Sequence, residues 1–115
     1  MSDATSDPRR SRRLAIPGVL VAIDAPEVAA EPWVVDGIDI SADGMGLVLP
    51  PELGESLNVL LTFRLPDGAE LAQVPATVRH HEGPVSGGVT FDTDAWDRDD
   101  RLALLEYLVR GYESH

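Results

Sequence analysis

Apolar and polar residues alternate along several short segments of the chain, which is the pattern of half-buried β-strands. In residues 56–65 (SLNVLLTFRL) every second residue from Leu57 to Leu65 is apolar. In residues 44–50 (GMGLVLP) the alternation places Met45, Leu47 and Leu49 on one face. With the turn sequences between them, such as PDG at 66–68, the segments predict about six antiparallel strands. The six segments are 19–23, 33–41, 44–50, 56–65, 70–81 and 88–92.

Two of these segments carry specific expectations about which side chains face the core. In 33–41 we expect Ile38 and Ile40 to face inward, with Gly37 at a bulge or a close approach. In 70–81 we expect Pro75 on the outer face. The residues of that segment expected to face inward are Ala72, Val74, Ala76 and Val78.

The period changes from two to about 3.6 residues near the C-terminus, which predicts a helix over residues 97–111. Asp97 is placed to cap its start and Gly111 to end it. The residues expected to face inward are Leu102, Leu105, Leu108 or Val109, and Tyr112. Six strands followed by one helix predict a mainly all-β fold, a small antiparallel barrel with the helix over one opening or along the wall.

Composition narrows the class of protein. The chain has 115 residues, 43% apolar and 25% charged, which is typical of one soluble globular domain. It has no cysteine, no apolar run long enough to cross a membrane and no recognisable signal peptide. We therefore expect a cytoplasmic protein without direct membrane insertion.

Charge is distributed unevenly. All nine basic residues are arginines, and the formal net charge is −11. Residues 1–13 have a net charge of +2, because PRRSRR at 8–13 holds four arginines, whereas residues 14–115 have a net charge of −13. Such a body should repel nucleic acid and anionic lipid, so a small local anion fits the cluster best. Taken alone, the cluster could also be solvated charge or a nucleic-acid arm.

The second polar segment is DISADG at 39–44. Alternation places Asp39 and Ser41 on the same outer face, and Gly44 allows a turn or a close approach of the backbone to a ligand. A carboxylate there could accept the N1–H and N2–H of a guanine, and a hydroxyl could donate to a phosphate or a base. Taken alone, this segment is also an ordinary turn.

Together the spacing Arg9-x-x-x-Arg13 and Asp39-x-Ser41-x-x-Gly44 resembles the signature of the PilZ family of bacterial cyclic di-GMP receptor domains. The resemblance extends over nearly the whole chain and includes GMGLVLP, GGVTFD and the closing helix. It implies a six-stranded antiparallel β-barrel with a C-terminal α-helix.

The resemblance also implies the ligand contacts. Arg9 and Arg13 would hold phosphates and guanine edges, and Asp39 and Ser41 would contact a guanine, while Gly44 would keep the turn open. Arg10 and Arg12 lie outside the fixed pattern, and each either adds a stacking or phosphate contact or is solvated. We expect residues 1–8 to be a disordered tail, 9–17 a ligand-binding arm and 18–92 the barrel.

The function expected from this pattern is that of a receptor or adaptor, which binds cyclic di-GMP and passes the signal to a protein partner in trans. No nucleophile–base pair or P-loop is recognisable, so we expect neither an enzyme nor a cofactor. No metal site is expected either, because His80 and His81 would point to opposite faces of a strand. Two alternatives are a PilZ-fold protein that works only through protein contacts and an oligonucleotide-binding barrel. The net charge and the aromatic content of 5% disfavour the latter.

Overall fold

The computed structural model describes residues 13–80 and 87–113. Within them the chain forms seven strands, a short 3-10 turn at Thr93–Ala95 and one α-helix. The predicted tail 1–8 and Arg9, Arg10 and Arg12 lie outside the described residues. The elements are β1 (Leu14–Ala15), β2 (Leu20–Asp24), β3 (Trp33–Ile40), β4 (Gly44–Leu47), β5 (Asn58–Arg64), β6 (Glu70–His80), β7 (Gly87–Phe91) and α1 (Arg98–Glu113).

Six of the strands close into an antiparallel barrel, which confirms the predicted fold. Their order is β3-β2-β5-β6-β7-β4, and pairing of β3 with β4 completes the circle. Closure leaves the six strands of the barrel without an open sheet edge. The additional strand β1 pairs with the end of β3, with Leu14 opposite Ile40 and Ala15 opposite Asp39. A two-residue strand is too short to produce an alternating pattern, so the sequence did not predict it.

The barrel interior is filled by the alternating apolar residues of the strands. Met45, Leu47 and Leu49 are all buried, as the alternation in 44–50 predicts. On β5 the residues Val59 and Leu61 are buried together with Phe63, again as predicted. The hydrophobic effect on these faces, at roughly 25 cal/mol per Å² of buried apolar surface, is the main force that holds the barrel together.

Strand β6 departs from the prediction at its beginning. Leu71 is fully buried, whereas Ala72, which was expected to face inward, is exposed. Leu61 of β5 lies opposite Val74 of β6, and Phe63 lies opposite Leu71. A step of two residues along β5 therefore corresponds to three along β6, so β6 has one extra residue between these pairs. The extra residue is a β-bulge, which reverses the facing of the residues before it. From Val74 onward the predicted inward set is buried.

The β6 bulge also lies next to the first turn of α1. Its distortion is visible at Gln73, which has a φ of 56° and donates its backbone N–H to Thr62 Oγ1 at 3.2 Å. The carboxylate of Asp100, in the first turn of α1, lies near the backbone of Ala72. Burial raises the pKa of Asp100, nearby acidic residues add to this, and the backbone N–H of Ala72 opposes it.

Helix α1 begins where predicted but ends later. The Asp97 side chain accepts the backbone N–H of Asp100 at 3.3 Å, which is the expected N-terminal cap. The helix continues through Gly111 to Glu113, so the prediction that Gly111 ends it is wrong. A side chain at Gly111 would collide with Leu14 of β1, and the glycine therefore allows β1 and α1 to approach closely.

The predicted inward face of α1 is partly wrong. Leu104 and Leu108 are buried, whereas Leu102, Leu105 and Val109 are exposed. The helix carries apolar residues on two sides, so a 3.6-residue period is compatible with either side facing the barrel. None of the helices within the described residues is long and apolar enough to cross a membrane.

Candidate ligand-binding site

The side chain of Asp39 is held at the end of β3 by two donors. Its Oδ1 accepts a hydrogen bond from Arg13 Nη1 at 2.7 Å and another from the backbone N–H of Gly46 at 3.1 Å. The Arg13 and Asp39 side chains are 46% and 30% exposed, so the ion pair lies at the protein surface. Both described hydrogen bonds end on the same oxygen, and Oδ2 has no donor within residues 13–80 and 87–113.

Strand β1 brings these residues together. Arg13 immediately precedes β1, and the pairing of Ala15 with Asp39 places the arginine beside the carboxylate. Arg13, the last residue of the first signature segment, and Asp39, the first of the second, therefore meet in space although they are 26 residues apart in the sequence. The outcome is a guanidinium and a carboxylate side by side, which are groups suited to a phosphate and a guanine edge respectively.

A bulge in β3 sets the direction of Asp39. Gly37 lies opposite Leu47 and Asp39 opposite Gly46, so Ile38 is an extra residue in the pairing with β4. Ile38 is consequently 37% exposed, and the prediction that it faces the core is wrong, whereas Ile40 is fully buried as predicted. A Cβ at Gly37 would lie 3.0 Å from Ile16 Cδ1, so Gly37 combines the predicted bulge with the predicted close approach.

Ser41 does not lie on the outer surface beside Asp39. It is only 2% exposed, and its hydroxyl is engaged in the turn that joins β3 to β4. Ser41 Oγ accepts the backbone N–H of Asp43 at 3.2 Å and donates to the Gly44 carbonyl at 3.4 Å. The Ser41 backbone N–H donates to the same carbonyl at 2.9 Å. In this conformation Ser41 therefore stabilises the turn.

Gly44 allows the close approach of two strands. It is buried at the start of β4, where it pairs with Thr90 of β7. A Cβ at this position would collide with the Val89 carbonyl oxygen. The glycine is thus needed for the β4–β7 pairing that helps to close the barrel.

Gly46 is a residue of the candidate site that the sequence interpretation missed. Besides donating to Asp39, it leaves space for that side chain, because a Cβ at Gly46 would lie 2.6 Å from Asp39 Oδ1. The signal was present in the sequence, since the alternation that turns Met45 and Leu47 inward leaves the residue between them on the outer side, next to Asp39.

Three predicted site residues and the two histidines of residues 80–81 have no described side chain. Arg9, Arg10 and Arg12 lie outside the described residues, as does His81, and only the backbone of His80 is described. In the part of the chain that the structure describes, no group of three or more His, Cys, Asp or Glu side chains is arranged to hold a metal ion.

Comparison with known proteins identifies one family. The family model described as PilZ domain matches residues 7–110, which include both signature segments and all seven strands. No curated protein and no solved structure gives a match.

Proposed function

The chain belongs to the PilZ domain family, and from that premise we propose that it is a cyclic di-GMP receptor that passes the signal to a separate protein. Domains of this family act as receptors or adaptors and not as enzymes. The observation that carries the proposal is the meeting of Arg13 and Asp39, with Gly46 holding the carboxylate.

The proposed contacts follow from the chemistry of the ligand, which has two phosphates and two guanines. Asp39 accepts the N1–H and N2–H of one guanine mainly through Oδ2, since Oδ1 already accepts hydrogen bonds from Arg13 and Gly46. Arg13 and Arg9 bind phosphates and guanine edges, because a planar guanidinium can donate two parallel hydrogen bonds to either group. Arg13 has five N–H donors, so it can keep one bond to Asp39 and direct others to the ligand.

Ser41 and Gly44 contribute to the proposed site through the turn that joins β3 to β4. Ser41 stabilises the turn in the described conformation, and a direct contact with guanine requires its hydroxyl to rotate away from the Gly44 carbonyl. We therefore propose that Ser41 acts first by shaping the turn and only then by contact. Arg10 and Arg12 remain candidates for additional stacking or phosphate contacts.

Isothermal titration calorimetry of the purified chain with cyclic di-GMP, cyclic di-AMP and GMP tests the proposal and also gives the stoichiometry. We expect cyclic di-GMP to bind in the micromolar range or tighter and cyclic di-AMP to bind much more weakly. Adenine has an acceptor at N1 in place of the donor that Asp39 needs. Equal binding of cyclic di-AMP would show that the role given to Asp39 is wrong. Absence of cyclic di-GMP binding would instead favour a protein that works only through protein contacts.

A further inference from the structure

An apolar patch with a carboxylate at its centre lies on the outer surface of the barrel. The side chain of Asp36 is exposed on β3. Four large apolar side chains around it are exposed as well, by 37% to 64% of their surface: Leu20, Val34, Ile38 and Val48. We call these five residues the Asp36 patch.

Strand pairing places the four apolar residues on all sides of Asp36. Leu20 of β2 lies directly opposite Asp36, and on the other edge of β3 the Val48 backbone N–H donates to the Asp36 carbonyl at 3.1 Å. Val34 and Ile38 precede and follow Asp36 by two positions along the same strand. Neighbouring strands are about 4.8 Å apart and alternate residues about 7 Å apart, so the five side chains form one continuous surface.

This surface combines a ring of exposed apolar side chains with one carboxylate at its centre. The Asp36 side chain forms no hydrogen bond or ion pair with the residues that the structure describes. When a partner covers the apolar ring, water is excluded from the carboxylate, and its attraction to an opposite charge increases. Arginine is among the residues enriched in such central, desolvated positions of interfaces.

We propose that the Asp36 patch docks a protein partner that presents an arginine or lysine from an apolar surface. The negative charge of the patch and of the whole chain indicates which kind of molecule can bind there. A second copy docked through the same patch would bring Asp36 against its own equivalent, and both bodies carry a net charge of −13 over residues 14–115. Nucleic acid and anionic membranes are repelled for the same reason. A cationic protein surface is attracted both by the central carboxylate and by the field of the whole molecule.

The docking surface and the proposed ligand site are distinct but share a strand. Asp36 precedes Asp39 by three residues, and the bulged residue Ile38 belongs to the patch while its neighbour Asp39 bonds to Arg13. The proposal does not depend on cyclic di-GMP binding, because it rests on the exposed apolar ring and its charge.

Selection from a phage-displayed library of random short peptides against the full chain tests the proposal. We expect the enriched peptides to contain an arginine or lysine flanked by apolar residues. Synthetic versions of these peptides, measured by fluorescence polarisation, should bind Asp36→Asn roughly tenfold or more weakly, the scale for a lost charge-assisted hydrogen bond. Val34→Ser should also weaken binding, because it removes part of the ring without altering charge.

Two variants serve as matched controls. Glu52→Gln removes one exposed carboxylate elsewhere, and Val28→Ser removes an exposed apolar residue outside the patch, so neither should alter peptide binding. Substitutions at exposed positions leave the fold largely intact, and thermal melting checks this for each variant.

Four results would overturn the proposal. The first is that no peptide is enriched, and the second is that the enriched peptides bind Asp36→Asn or Val34→Ser as tightly as the unmodified chain. The third is concentration-dependent self-association in sedimentation velocity that Leu20→Ser abolishes, which would make the patch an interface between copies. The fourth is a loss of cyclic di-GMP affinity in Asp36→Asn, which would make the patch part of the ligand surface.

Discussion

At the scale of single residues, the proposed site depends on the two hydrogen-bond donors to Asp39 Oδ1. Asp39 Oδ1 takes a hydrogen bond from a side chain that precedes β1 and another from the backbone of β4. Because the Arg13 and Asp39 side chains are 46% and 30% exposed, solvent screens the pair, and its contribution to stability is small. We expect the same arginine to contribute far more to the binding of a ligand that carries negative charge and shields it from water.

Replacement of Arg13 separates these two contributions. Arg13→Ala should weaken cyclic di-GMP binding by roughly 1.5–3 kcal/mol, the scale of a hydrogen bond to a charged group. It should lower the free energy of unfolding of the ligand-free chain by less than about 1 kcal/mol. The control is Arg64→Ala, which breaks a similar exposed pair with Glu70 at 3.2 Å and should leave binding unchanged. Calorimetry and chemical denaturation measure the two quantities, and a large loss of stability would mean that Arg13 is mainly structural.

Gly46 offers a test of how closely Asp39 must be positioned. Gly46→Ala introduces a methyl group where the Asp39 carboxylate lies, and the side chain must rotate away because the backbone of β4 is fixed by pairing on both edges. We expect cyclic di-GMP affinity to fall at least about tenfold, since the carboxylate is no longer aimed at the guanine edge. Gly54→Ala is the matched control, because open space surrounds a Cβ there. Unchanged affinity in Gly46→Ala would show that the position of Asp39 is not set by Gly46.

At the scale of elements, alternation predicted the facing of regular strands and failed at bulges. The inward faces of β4 and β5 followed from the sequence because every second residue is apolar. In β3 and β6 one inserted residue reverses the facing, so Ile38 and Ala72 are exposed. Gly37 signalled the first bulge, whereas nothing in the alternation of 70–81 signalled the second, which depends on pairing with β5.

A pair of leucine variants tests which side of α1 packs on the barrel. Leu104 is 1% exposed and packs on the barrel, whereas its neighbour Leu105 is 37% exposed. Leu104→Ala should therefore cost about 2–5 kcal/mol of stability, and Leu105→Ala less than about 1 kcal/mol. Both substitutions remove the same atoms and have the same effect on helix propensity, so each is the control for the other. Chemical denaturation with the opposite ranking would mean that the helix packs through its other side.

At the scale of the whole molecule, pairing of β1 with β3 and closure of the barrel between β3 and β4 together form the candidate site. The resemblance to a known signature predicted which segments matter, and Arg13 and Asp39 do meet. It did not predict that Ser41 would be buried in a turn or that Gly44 would serve strand pairing. Those two facts depend on how tightly β4 packs between β3 and β7, which is a property of the closed barrel and not of any local sequence pattern.

The charge of the whole molecule predicts how binding responds to salt. The ligand has only two phosphates, so few counterions are released when it binds, and salt also screens its repulsion by the acidic body. We expect cyclic di-GMP affinity to fall by less than about tenfold over a fourfold rise in salt concentration. A guanine-rich single-stranded oligonucleotide, which carries many phosphates, should bind weakly even at low salt because the chain has a net charge of −11. Calorimetry of both ligands across a salt series measures this. Tight oligonucleotide binding that weakens steeply with salt would favour an oligonucleotide-binding barrel over a second-messenger receptor.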